Sequence, residues 1–187
     1  DKSFGLNHTN GSVNLKSYIG GGVASVGTTT ANDLRFMTNN TQKMTVTSAG
    51  DVGIGTVTPT NKLVVVGSNA QPSALGTANT NATFRIDGST NHALDFGTYT
   101  NSPFGSYISS QNKTATTGLP LVLNPVGGNV GVGTNAPNNS ALLDLTATNR
   151  GFLMPRVSLT SRTDGSTISS PAKGLMVYNS NTGLSPY

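Results

Sequence analysis

Residues 50–59 read GDVGIGTVTP and residues 128–137 read GNVGVGTNAP. The same glycine-laced decapeptide thus stands twice in the chain. Strand side chains alternate between faces, so Val52 and Ile54 point one way while Gly53 and Gly55 point the other. Val130 and Val132 repeat the apolar side, and Gly131 and Gly133 repeat the bare one. Glycine inside a strand weakens it, so a repeated pair marks close backbone approach or a tight bend. Proline has no N–H to give a ladder, so Pro59 and Pro137 close each segment, and fresh strands are expected at Leu63–Val65 and Leu143–Leu145. Gly50 and Gly128, opening each copy, complete the repeated set.

A phosphate loop is the rival reading of close-set glycines. The dinucleotide fingerprint needs a third glycine that opens a helix, and a Walker loop needs lysine after its last glycine. Here threonine follows Gly55 and Gly133, and a proline and a β-like run come next. A structural repeat is the better reading.

Composition points the same way. Charged residues make up 10% and hydrophobic residues 34% of 187 residues, against about 25% and 45–50% in ordinary soluble domains. Glycine fills 23 positions, glutamate is absent, and Gly, Thr, Asn and Ser together supply about half the chain. These residues are mediocre or poor helix formers, so an all-β fold is expected. With 6% aromatics and no tryptophan, one chain has little to bury, and burial is expected between chains.

Landmarks flank both decapeptides in one order. Phe4-Gly5, Ser17-Tyr18-Ile19, Leu34-Arg35-Phe36 and Met44-Thr45-Val46 precede the first. Phe96-Gly97, Ser106-Tyr107-Ile108 and Leu121-Val122-Leu123 precede the second. Fixed landmarks with drifting spacers indicate duplicated modules with tolerant loops. The expected organisation is module one at 1–66, a bridge at 67–95, module two at 96–148 and a β-rich segment at 149–187. Within the bridge, Thr83–Ile86 alternates like a strand and Asp87-Gly88 supplies a turn, echoed by Asp164-Gly165. Because the chain opens on Asp1, it is expected to be a segment of a longer polypeptide or a processed product.

Catalytic chemistry is poorly supplied. Cysteine is absent, which excludes disulfides and thiol nucleophiles. The histidines are His8 and His92, and the seven acids are scattered aspartates. His92 stands three residues before Asp95, a spacing better read as an exposed polar pair than as a catalytic one. Neither Asp-Gly turn carries enough oxygen ligands for calcium. No catalytic, cofactor-binding or metal-binding residue is expected, and no cofactor. The formal charge of +4 is thinly spread, densest at Arg150, Arg156 and Arg162, without the aromatic-interleaved stripe of a nucleic-acid binder. No run approaches the roughly 18 apolar residues of a membrane span.

The two decapeptides, with Leu-rich strands after them, resemble the G-N-V-G-I-G-T-x-x-P repeats of bacteriophage tail-fibre and related fibrous adhesin proteins. The stretch from Ala141-Leu142-Leu143-Asp144-Leu145 through GFLMPR to PAKGLMVYN is similar to a segment that follows such repeats. The resemblance implies an elongated, interwoven homotrimeric β fibre, extracellular on a virion tail or cell surface. It also implies attachment to a glycan or protein receptor, with other fibre or baseplate proteins as partners. Interchain burial of Val52, Ile54, Leu63, Val65, Val130, Val132, Leu143 and Leu145 is expected, and leucine at Gly131 should disrupt assembly. Tyr99, Phe104 and Tyr187 are the candidate receptor contacts, set against packing under a loop. A non-viral surface or secreted adhesin and a polysaccharide depolymerase are the alternatives.

Overall fold

A computed structural model describes residues 3–77, 81–161 and 163–183. Tyr187 and Arg162 lie outside the described residues. Every regular element among those residues is a strand, so the fold is all-β. The chain divides into two compact units, Asp1–Leu121 and Val122–Tyr187. That division falls inside the stretch expected to be module two, because it follows contact rather than duplication.

Unit one holds three sheets. Strands β1 (Ser3–Thr9), β2 (Asn14–Gly20) and β3 (Val23–Thr28) form an antiparallel meander. Gly21 and Gly22, both at positive φ, make the two-residue turn between β2 and β3. Strands β4 (Leu34–Thr38) and β5 (Thr41–Val46) form a second hairpin. Its turn is Asn39-Asn40 at φ 48° and 55°, and asparagine is among the few non-glycine residues that enter this region readily. Strand β6 (Val52–Ile54) adds antiparallel to β5, and β7 (Leu63–Val65) adds parallel to β6. Strands β8 (Phe84–Asp87), β9 (His92–Thr98) and β10 (Ser106–Asn112) form the third sheet, with β9 central. The expected strand at Thr83–Ile86 is therefore present, one residue displaced, but Asp87-Gly88 is not the turn: Asp87 ends β8, neither residue takes a positive φ, and the connection to β9 runs over residues 88–91.

Unit two repeats the parallel step. Strand β11 (Val130–Val132) pairs with β12 (Leu143–Leu145), and β13 (Arg156–Val157) pairs in parallel with β14 (Tyr178–Asn179). The landmark Leu121-Val122-Leu123 forms no strand, although its counterpart Leu34-Arg35-Phe36 lies in β4. Pro120 and Pro125 bracket that run, and a proline cannot donate to a central ladder.

Parallel neighbours ordinarily need a crossover of about a dozen residues or more. Here Gly55–Lys62 manages it in eight residues and Gly133–Leu142 in ten. Strands of three residues rise only about 10 Å, so the chain has little distance to recover. The glycines make the return possible. Gly55 and Gly133 lie at φ 75° and 78°, ending β6 and β11 by turning the chain out of the ladder. Gly55 was expected on the same strand face as Gly53; its left-handed backbone removes it from the strand. A Cβ on Gly53 would stand 2.5 Å from the Thr56 carbonyl oxygen and 3.4 Å from Pro59 Cδ. On Gly131 it would stand 3.0 Å from the Thr134 carbonyl oxygen and 3.5 Å from Pro137 Cβ. The close approach expected between chains is thus already present inside one chain. Threonine and proline of the motif are the atoms that occupy it.

Gly50 and Gly55 separate strain from crowding. Both lie at positive φ, 81° and 75°, but nothing stands within 4 Å of a Cβ on Gly50, whereas Val66 O lies 2.5 Å from one on Gly55. Gly50→Ala should cost the backbone strain alone, about 1–3 kcal/mol. Gly55→Ala should cost clearly more, and thermal unfolding of the two variants side by side checks the order. Equal losses would mean that crowding contributes nothing.

Candidate trimer interface

The parallel steps sort their side chains by face. Register places Val52 opposite Leu63 and Ile54 opposite Val65. The antiparallel neighbours continue the row, with Val46 opposite Val52, Met44 opposite Ile54 and Phe36 opposite Met44. One face of the four-stranded sheet is therefore apolar throughout, and Phe36, Ile54 and Leu63 on it are exposed in the single chain. The opposite face carries Thr45 and Gly53, both buried beneath the chain's own structure. In unit two Val130 pairs with Leu143 and Val132 with Leu145, and the apolar side is again open, although Gly131 on the other side is exposed as well.

The loop of each step is pinned at the residue after its first glycine, by different chemistry. Asp51 accepts from Lys62 Nζ at 2.5 Å, just before β7. Asn129 donates to the carbonyls of Asn138 and Ala141, just before β12. Asp144, on the glycine side of β12, accepts the Asn138 N–H at 2.8 Å. These are loop clamps.

The β8–β9–β10 sheet shows the same inversion in stronger form. Its self-covered face holds Asp95, fully buried, gripped by Arg85 through Nε at 2.6 Å and Nη2 at 2.8 Å. That hydrogen-bonded pair raises the Arg85 pKa and keeps both charges paired. Gln111 on this face donates to Ser73 O, and Asn112, at the end of the other face, donates to Thr117 O. The Tyr107 ring lies over Gly97, in the space a Cβ there would need. Across the sheet, Phe84, Ile86 and Ile108 are exposed. His92 faces this apolar side while Asp95 faces the covered one, so the two cannot act together.

The consequence is visible in the core: Ala93 alone among the described hydrophobic side chains is buried. The expected interchain set is thus positioned on open faces.

Of the candidate receptor contacts, Tyr99 is half-buried with its ring 5.5 Å from that of Tyr107. Phe104 is 73% exposed, at φ 45° in the loop between β9 and β10. In the 158–169 stretch, Asp164 organises a turn: its carboxylate accepts from Thr160, Ser166 and Thr167, through both backbone N–H and hydroxyl groups. The Thr167 hydroxyl bond is the largest of the effects that hold its pKa far below the ordinary carboxylate range. Among the described residues no cluster suits a metal ion, and no helix is long and apolar enough to cross a membrane.

Two measurements test these roles. Asp95→Ala leaves Arg85 buried without its partner and should cost about 3–5 kcal/mol. Asp51→Ala, losing a pair with an exposed lysine, should cost about 0–1 kcal/mol; denaturant unfolding compares them. The depressed Asp164 pKa means its turn is stabilised above the unfolded-state pKa of an ordinary aspartate and loses that support as pH falls through the folded value. Carboxyl NMR titration should find Asp164 still ionised well below the pH at which an aspartate in an unfolded chain protonates.

Comparison with known proteins adds a direct finding. Residues 131–186, from the middle of the second decapeptide onward, match the family model described as phage tail like trimerisation region. No curated protein matches the chain. The match covers less than a third of the sequence and supports a phage-tail-like structural protein that self-associates as a homotrimer.

Proposed function

We propose that this chain is a structural and adhesive segment of a phage tail fibre, an elongated interwoven homotrimer that carries or forms part of a host-binding tip. The observation that carries this reading is the inverted burial: loops of the chain cover the polar faces, and the apolar faces await other chains. The matched trimerisation region supplies the partner, a further copy of the same chain. Such a fibre works outside the cell, on the virion, joined to other fibre or baseplate proteins and meeting a surface glycan or protein. Phe104, exposed on a loop between strands, is the best placed of the described aromatics to meet a receptor.

The segment is read as non-enzymatic. Each described aspartate already serves the fold. Asp33 accepts the Ser48 N–H, Asp51 pairs with Lys62, Asp87 with Lys113 and Asp95 with Arg85, Asp144 holds Asn138, and Asp164 holds its turn. A pair of carboxylates free for glycoside chemistry is hard to draw from that set.

Native mass measured by light scattering tests the proposal. The expected value is three times 19.1 kDa. A monodisperse 19.1 kDa species across the micromolar range would overturn it.

A further inference from the structure

The β8–β9–β10 sheet lies outside residues 131–186, and neither decapeptide lends it a strand. Register places Phe84 opposite Phe96, Ile86 opposite Leu94, and Ile108 opposite Phe96 from the other side. These five side chains form one face, with the Phe84 and Phe96 rings 5.7 Å apart. Phe84, Ile86 and Ile108 are 49%, 55% and 56% exposed. The face leads into a cavity of about 530 Å³ whose wall includes Val65, at the end of β7.

We infer that this face is a second self-association surface, covered by other copies of the same chain, independent of the matched trimerisation region. The inference rests on the homotrimer reading and extends it to residues 84–110. Two observations select a copy over a foreign partner. Val65 belongs to the β6–β7 step, which repeats residue for residue the pairing of β11–β12, and the latter lies in the trimerisation match apart from its first residue, Val130. The surface beside Val65 therefore adjoins a motif already associated with chain–chain contact. The face carries no lysine, arginine or aspartate, since Arg85, Asp87 and Asp95 all point to the covered side. A surface without fixed charge offers a foreign partner little to select, but it suits its own duplicate.

The absence of cysteine makes the test clean. Ser106→Cys and Ser110→Cys, close in size to serine, place thiols on this face, and Ile108→Cys places one at its centre. Ser89→Cys, in the exposed β8–β9 turn, is the control. Each full chain is treated in dilute solution with a short bismaleimide and run on a denaturing gel, with native mass measured in parallel. The expected result is a trimeric mass throughout, with a crosslinked dimer band for the three face variants, leaving as monomer only the third, unpaired chain of each trimer, and no dimer band for Ser89→Cys. A trimeric mass with no dimer band at positions 106 and 110 overturns this surface and leaves the homotrimer standing. A monomeric mass for the unsubstituted chain overturns both.

Discussion

A short loop folded back on a glycine decides how the rest of this chain can be buried. Thr56 and Pro59 lie against Gly53 at distances that leave no room for a side chain, and Thr134 and Pro137 lie close enough to Gly131 that a side chain there would have to push them back. The loop is short enough to reach only the face from which it departs. It therefore covers the glycine side of a three-residue strand pair and leaves the valine, isoleucine and leucine side open. A pair of such strands is far below the size that holds together alone in water. Each apolar side chain left exposed forgoes about 1.5–3 kcal/mol of burial. The tight turn thus builds the repeat and at the same time obliges it to find another surface.

The polarity of the covered faces has its own physical reason. A loop brings backbone N–H and C=O groups that lie outside any ladder, and these need partners once water is excluded. Loop segments can close only over a face that offers donors and acceptors. In the third sheet Gln111 meets the Ser73 carbonyl on the covered face, while Asn112 and Thr98, at the two polar ends of the other face, meet the Thr117 carbonyl and the Asn69 side chain. An apolar face offers no such partners and is best closed by another apolar sheet face. Loop-covered polar faces and open apolar faces are two outcomes of one rule, seen in the sheets of unit one.

Much of this was legible before any coordinates. The strand in each decapeptide, the strand after its proline and the strand near Phe84 all follow from turn chemistry and alternation, and each is present. The side of the close approach was not legible, because glycine is demanded equally whether the neighbour is the same chain or another. Alternation also carried the strand one residue too far, through Gly55, since a left-handed glycine looks like any other in sequence. Leu121-Val122-Leu123 had the composition of a strand, and its flanking prolines outweighed that. The apolar face of Phe84, Phe96 and Ile108 escaped notice because its members come from strands separated by turns, and only the register unites them.

The two copies of the step differ in how they secure the same loop, and the difference separates what is constrained from what is free. An Asp51–Lys62 ion pair does in one copy what Asn129, donating to two carbonyls, and Asp144, accepting from Asn138, do in the other. The loop itself grows from eight residues to ten. Backbone shape persists through both changes: left-handed glycines at the opening and closing positions, a crowded glycine between them, and identical pairing of the flanking strands. Clamps at an exposed edge are worth little and can be exchanged, whereas a Cβ in the crowded position has to displace its neighbours. The motif therefore specifies a surface, two apolar residues on each of two parallel strands, and leaves the chemistry of its rim open to change.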